Sequence, residues 1–249
     1  MKENSLSSLE IRFYAELNDF LPSSKKGRAF LHVFFGKPTV KTVIEELGVP
    51  HTEIDLILVN GESVAFDHHV KSNDKISVYP QFESLDISHV THLRPYALRL
   101  IKFVADVHLG KLARYLRMLG FDTFYAPTQA DEELIDRSVQ EQRILLTRDL
   151  GILKNRRVTH GYFLRHTEPR QQLKEVVRRF DLKGRILPFT RCLDCNGSLI
   201  PIEKATIDHQ LDQDTRRYYE KFFQCTGCQR IYWEGSHHER MQQLIASLD

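Results

Sequence analysis

The sequence predicts an α/β core domain with a parallel sheet, preceded by a small α+β unit and followed by a compact unit that carries all the cysteines. Three observations support this. Two short apolar runs, Phe103-Val104-Ala105 and Ile144-Leu145-Leu146, are each followed closely by a carboxylate, Asp106 and Asp149. Such runs suit strands buried on both faces of a parallel sheet. Strand-like and helix-like patterns alternate over residues 99–190, the signature of an α/β layer. The four cysteines fall in two pairs, Cys192-x2-Cys195 and Cys225-x2-Cys228.

Residues 1–84 read as the α+β unit. Leu9 to Tyr14 and Ala29 to Phe35 are rich in β-formers, and turn chemistry from Pro22 to Gly27 separates them. Thr39 to Leu47 reads as a helix, capped near Thr39 and stopped by Gly48. Ile54 to Val59, a turn at Asn60-Gly61, and Ile76 to Val78 add strands. Strand, strand, helix, strands is the order of a β-grasp. The adjacent His68 and His69 would point apart on an extended chain and are read as surface loop. Residues 85–98 lack a strong period and are expected to be a linker, with Pro95 favouring extended backbone at Arg94.

The core domain spans residues 99–190. Gly110 to Leu119 places Leu112, Tyr115, Leu116 and Leu119 on one helical face, with Lys111, Arg114 and Arg117 on the opposite arc and Gly120 as a stop. A second helical pattern runs from Asp131 to about Gln142. Leu134, Ile135, Ser138 and Val139 form its packed side, toward which Asp131 leans. Beyond Asp149, the segment from Ile152 to Arg157 carries Lys154, Arg156 and Arg157. Gly161 to Leu164 reads as a further parallel strand. Gln171 to Phe180 reads as a helix with Leu173, Val176, Val177 and Phe180 inward.

Ligands of open α/β sheets sit outside the carboxyl ends of the strands. Asp106 and Asp149 are therefore expected to share a crevice, with Asp131 beside them. Three converging carboxylates repel one another in a low-dielectric cleft, and a divalent cation relieves the repulsion. Hard oxygen ligands suit magnesium or manganese. Such an ion acidifies bound water and braces a leaving oxygen in phosphodiester cleavage. Lys111, Arg114, Arg117, Arg148 and Lys154 are candidates for holding a phosphate backbone. A purely structural account competes with this one. Aspartate at a strand end is a common helix cap or turn former, Asp122 in Gly-Phe-Asp reads as a turn residue, and a basic arc is usually a solvated face.

Residues 191–249 hold the strongest single chemical signal. Each cysteine pair can place two thiolates on one zinc, giving a tetrahedral four-cysteine site at Cys192, Cys195, Cys225 and Cys228, against the competing account of four unliganded or redox thiols. Four thiolates leave no open position, so this zinc is expected to be structural. The 29 residues between the pairs are accommodated by an inserted hairpin. Leu199 to Ile202, Tyr218 to Phe223, and Arg230 to Trp233 read as strands. Tyr232 and Trp233 either stack on bases or fill the small ribbon core. His237 is either a general acid/base or RNA contact, or a solvated side chain.

The chain has 249 residues, 41% hydrophobic and 27% charged, which is ordinary for a globular protein. Its net charge of +2 says little, but the distribution is informative: −3 over residues 1–95, +8 over 96–191 and −3 over 192–249. A basic middle block around an acidic cluster fits nucleic-acid processing. No run approaches membrane-spanning length, and the opening residues lack a signal pattern. With cysteines arranged for metal in a reducing compartment, the protein is expected to be cytoplasmic.

The segments ADVHLGKLARYLRMLGFDT, ADEEL, RILLTRD and RCLDC…CTGCQRIYWEGSHHERM together resemble the Mut-seven C-terminal RNase domain family. The resemblance covers about residues 100–245. It implies a PIN-like fold joined to a zinc ribbon, and a metal-dependent, endonucleolytic ribonuclease with Asp106, Asp131 and Asp149 as its magnesium or manganese ligands. PIN nucleases often carry a fourth acid shortly after the Thr-x-Asp motif. Here the corresponding stretch is Gly151-Ile152-Leu153-Lys154. That departure favours the alternative reading, an RNA-binding adaptor with a degenerate site. VNGESVAFDHHVKSNDKISVYP is similar to ubiquitin-like sulfur carriers, but no Gly-Gly follows Pro80 to Ser84, so a protein-docking module is expected instead of a carrier. The expected partners are RNA and a protein that engages the β-grasp unit. The sequence specifies no oligomeric state.

Overall fold

A computed structural model describes residues 6–80, 90–93 and 101–248, with backbone alone for 236–240. Of the expected linker only 90–93 lies within the described residues; Arg94, Pro95 and the approach to the core domain lie outside them. In chain order the elements are β1 (Leu6–Phe13), β2 (Phe30–Phe35), α1 (Val40–Glu46), β3 (Ile54–Val59), β4 (Glu62–Ser63), β5 (Lys75–Pro80), β6 (Phe103–Ala105), α2 (Gly110–Met118), β7 (Thr123–Tyr125) and α3 (Asp131–Gln140). There follow β8 (Ile144–Thr147), α4 (Leu150–Leu153), β9 (Gly161–Phe163), α5 (Pro169–Arg179), β10 (Leu199–Ile202), α6 (Lys204–Ile207), α7 (Gln213–Tyr218), β11 (Phe222–Cys225), β12 (Ile231–Trp233) and α8 (Ser236–Ala246). They pack as two compact units. One joins Met1–Leu100 to Ile135–Phe163, and the other joins Ile101–Leu134 to Leu164–Asp249.

The first unit contains a five-stranded sheet in the order β2-β1-β5-β3-β4. The central pair, β1 with β5, is parallel, and β2 and β3 flank it antiparallel. This is a β-grasp. Alternation in β1 buries Leu9, Ile11 and Phe13 and turns Glu10 and Arg12 outward. Against that buried face lie Val40, Val43 and Ile44 of α1. The helix starts where the Thr39 hydroxyl accepts the Thr42 N–H at 3.3 Å. Asn60 and Gly61 adopt φ of 53° and 91°, the left-handed pair that their turn requires.

The rest of the first unit is built onto this β-grasp. β8 is buried along its whole length and pairs in parallel with β9, Leu145 opposite Gly161. Glu53 lies after α1, and one of its carboxylate oxygens accepts the Phe163 N–H at 2.6 Å. The His51 ring binds the Val158 carbonyl through Nε2 at 2.8 Å and Glu45 through Nδ1 at 2.7 Å. A Cβ at Gly161 would sit 2.5 Å from the Leu153 side chain and 3.5 Å from that of Thr52. A larger residue at this position would have to displace the Leu153 side chain.

In the second unit β6 and β7 pair in parallel, Phe103 opposite Thr123 and Ala105 opposite Tyr125. Phe103 is fully buried and meets the rings of Phe121 and Phe180 edge-on. α2 buries Leu112, Ala113 and Leu116, and α5 buries Leu173, Val176 and Val177. α5 begins with Pro169, preceded by Glu168, whose carboxylate accepts the Gln171 N–H at 2.9 Å. The antiparallel sheet β10-β11-β12 forms the ribbon.

Three local expectations fail. The insert between the cysteine pairs is helical, not a hairpin. Asp212 caps α7 by accepting the Thr215 N–H and hydroxyl, both at 2.8 Å, and Ile207 and Leu211 pack on Phe222. Tyr218 accordingly ends a helix, 67% exposed, instead of starting a strand. On α3, Val139 is 41% exposed, while Ser138 is buried and donates to the Ile135 carbonyl.

Candidate functional site

The two cysteine pairs converge in the ribbon. Their four sulfurs lie within 4.8 Å of one another, with Cys192 and Cys228 at 3.6 Å and Cys195 and Cys225 at 3.3 Å. A tetrahedral ion with metal–sulfur bonds of about 2.3 Å needs sulfurs about 3.8 Å apart, close to what is found. Among the described residues, these are the donor groups gathered closely enough to share an ion. Gly197 is required beside them, since a Cβ there would lie 2.8 Å from the Cys225 sulfur.

The sulfurs are held by hydrogen bonds. Burial works against the Cys192 thiolate, but the Cys195 N–H, the Tyr232 hydroxyl and the Asp194 N–H outweigh it and bring the thiol down to about 6. Tyr232 accepts the Leu193 N–H at 3.2 Å and donates to the Cys192 sulfur at 3.1 Å. Its own ionisation is pushed up, first by burial and then by that sulfur. At Cys228 the Arg230 N–H favours the thiolate, yet burial and the other three sulfurs raise the thiol to about 12. Four sulfurs so close cannot all ionise without a cation among them. The donor set fits a metal.

The first knuckle is locked onto β7. Arg117 is 3% exposed. It donates through Nε to the Thr123 carbonyl at 2.9 Å and through Nη1 to the Leu193 and Asp194 carbonyls at 3.0 and 2.7 Å. Burial lowers its ionisation, opposed by Cys192, Cys195, Asp194 and Asp122. Asn196, at φ 68°, donates to the Asp122 carboxylate at 2.7 Å and accepts the Thr123 N–H at 3.0 Å. Asp122 also pairs with Arg191 at 3.6 Å, so it is an anchor and not a plain turn residue.

This arrangement corrects two expected phosphate contacts. Arg117 is not on a solvated arc, because three carbonyls occupy its guanidinium. Ala113, one turn earlier and fully buried, was the signal that this arc is packed. Lys154 is likewise turned to the β-grasp, where its Nζ donates to the Glu45 carbonyl at 2.8 Å. Lys111, Arg114 and Arg148 are exposed. His237 falls in α8, but its side chain lies outside the described residues.

The three candidate acids stand at element ends. Asp106 directly follows β6 and is 7% exposed. Its carbonyl accepts the Leu109 N–H at 2.8 Å, opening a short 3₁₀ turn into α2. Gly110 continues that turn, where a Cβ would lie 2.7 Å from the Tyr125 hydroxyl, which itself donates to the Val107 carbonyl. Asp131 is the exposed first residue of α3. Asp149 is exposed and caps α4, its carboxylate accepting the Gly151 N–H at 2.6 Å while its own N–H donates to the Thr147 hydroxyl. Asp106 and Asp131 belong to the second unit and Asp149 to the first.

Residues 101–245 match the family model of the Mut7-C RNAse domain. The chain belongs to the Mut7-C RNAse domain family. The match spans Asp106, Asp131, Asp149, the four cysteines and His237. Residues 6–86 match a second model, Mut7-C ubiquitin, in agreement with the β-grasp that precedes the Mut7-C domain here. Comparison with curated proteins and with solved structures gave no match. The Mut7-C assignment points to RNA-related nuclease chemistry. Among the described residues, no helix is long and apolar enough to cross a membrane.

Proposed function

We propose that this Mut7-C chain is a metal-dependent ribonuclease that cuts RNA phosphodiester bonds, with Asp106, Asp131 and Asp149 as its acidic centre. The family match across all three aspartates carries the reading. The nearly buried Asp106 supports it, standing at the carboxyl end of a parallel strand where such sheets place their ligands. The carboxylates would hold magnesium or manganese, whose oxygen preference they match. A cation there supplies positive charge to a phosphate gaining negative charge, and acidifies water. Lys111, Arg114 and Arg148 would hold the RNA backbone. Zinc would occupy the four-cysteine site in a structural role, a use of free thiols that suits the cytoplasm. The β-grasp would dock a protein partner.

A second reading, an RNA-binding adaptor without catalysis, is favoured by one observation. The Asp149 carboxylate already serves as a helix cap. The test is cleavage of a panel of labelled RNAs with magnesium, manganese or neither, by wild type, Asp106→Asn and Asp149→Asn. Asparagine is as good a cap as aspartate, so Asp149→Asn should keep its melting temperature while losing cleavage. Salt-dependent binding without cutting by wild type would favour the adaptor. Cutting undiminished in both variants would refute the acidic centre.

A further inference from the structure

A cavity of about 540 Å³ opens in the second unit between α2, the start of α5, the ribbon sheet and α8. Its size falls in the range of roughly 300–1,000 Å³ typical of small-ligand sites. Its lining combines aliphatic side chains such as Met118, Leu199 and Met241 with aromatic rings and guanidinium groups. Phe223 and Tyr232 stand opposite each other on β11 and β12, with Trp233 next to them. Trp233 is 38% exposed, packed on Tyr219 and Phe222 with ring centroids 6.4 Å away in each case. The Tyr232 hydroxyl is committed to the Cys192 sulfur, so its ring is held in place. Arg114 from α2, Arg170 from the first turn of α5 and Arg230 beside Cys228 supply three guanidinium groups. Arg230 is shared with Asp194, and among the described residues the lining holds one carboxylate, Glu234.

We propose that this cavity binds a nucleotide of single-stranded RNA, its base against the aromatic wall and its phosphates on Arg114 and Arg170. Among the described residues the excess of cations disfavours a basic ligand, and the apolar wall gives a bare phosphate little to contact. A flat ring carrying phosphate satisfies both. Bases in a duplex are stacked and out of reach of such a wall, whereas single strands can splay a base out. The inference rests on the RNA reading of the Mut7-C domain and locates where part of that RNA binds.

Trp233 is the sole tryptophan of the chain, so its fluorescence reports the cavity directly. The metal-loaded full-length protein, without added magnesium or manganese, is titrated with a short end-labelled single-stranded RNA. Label anisotropy and Trp233 emission are followed together. Emission should change saturably with the same midpoint as anisotropy, and a duplex of equal length should not produce it. Arg114→Gln and Arg170→Gln should each reduce the slope of log affinity against log salt by about 0.7, the value for one phosphate contact on a single strand. Anisotropy that rises with Trp233 unperturbed and both slopes unchanged would overturn the cavity assignment and leave the RNA reading standing. An equal emission change with duplex would overturn the single-strand assignment. No anisotropy change even at low salt would overturn the RNA reading, and the cavity proposal with it.

Discussion

Arg117 shows how a charged side chain becomes part of an interior. Its fork of donors reaches the Thr123 carbonyl on β7 and two carbonyls of the first cysteine knuckle. Arg117→Met keeps the stem and removes every donor. We expect a cost of about 2–4 kcal/mol, seen as a lower urea midpoint, together with faster loss of metal to a chromogenic chelator. Arg117→Lys should not rescue either readout, because one ammonium cannot span the three acceptors. Unchanged chelator kinetics in Arg117→Met would mean that the knuckle does not depend on the guanidinium. At this scale the sequence was legible where chemistry is fixed by spacing, as with Cys192, Cys195, Cys225 and Cys228. It was not legible at Arg117, whose knuckle partners come 76 and 77 residues later. Helical period alone places an arginine there in water. The three aspartates were readable as occupants of element ends, and the partners that Asp149 finds there, Gly151 and Thr147, are local.

At the scale of elements, helices with strong periods and clear caps came through well. α5 has its apolar stripe where expected, and its start is marked by Glu168 and Pro169. The N–H of Arg170, then that of Gln171, hold the Glu168 carboxyl below its ordinary value of 4.5. Because the folded value is depressed, this contribution to stability is complete above the unfolded value and is lost as pH falls through the folded one. The urea midpoint of wild type should therefore exceed that of Glu168→Gln at neutral pH, with the gap closing on the acid side of the carboxylate range. A gap that does not vary with pH would show that the charge of this cap is irrelevant. The insert between the cysteine pairs was misread for a physical reason. Its few apolar residues fit a short helix as well as a strand, and the Asp212 cap that decides the matter is a weak local signal. α8 was not anticipated at all, since no strong stripe announces it.

For the whole molecule, the order of modules along the chain was legible, but their packing partners were not. The β-grasp is joined to residues 135–163 of the Mut7-C domain through polar contacts that no periodicity reveals. Glu53 is fully buried, and Glu53→Ala leaves the Phe163 N–H without its acceptor. We expect a loss of about 1–3 kcal/mol, with β-grasp and β9 amides losing hydrogen-exchange protection together. Protection lost in β9 alone would show that the β-grasp folds independently of it. In the second unit the ribbon is tied in the same manner by Asp122 and Asn196, 74 residues apart. Neither residue can be replaced alone without breaking that tie. A change at Asn196 must supply another left-handed residue able both to give to Asp122 and to receive from Thr123, and a change at Asp122 strands the amide that remains. The two positions therefore work as a single fastening, written in two distant places.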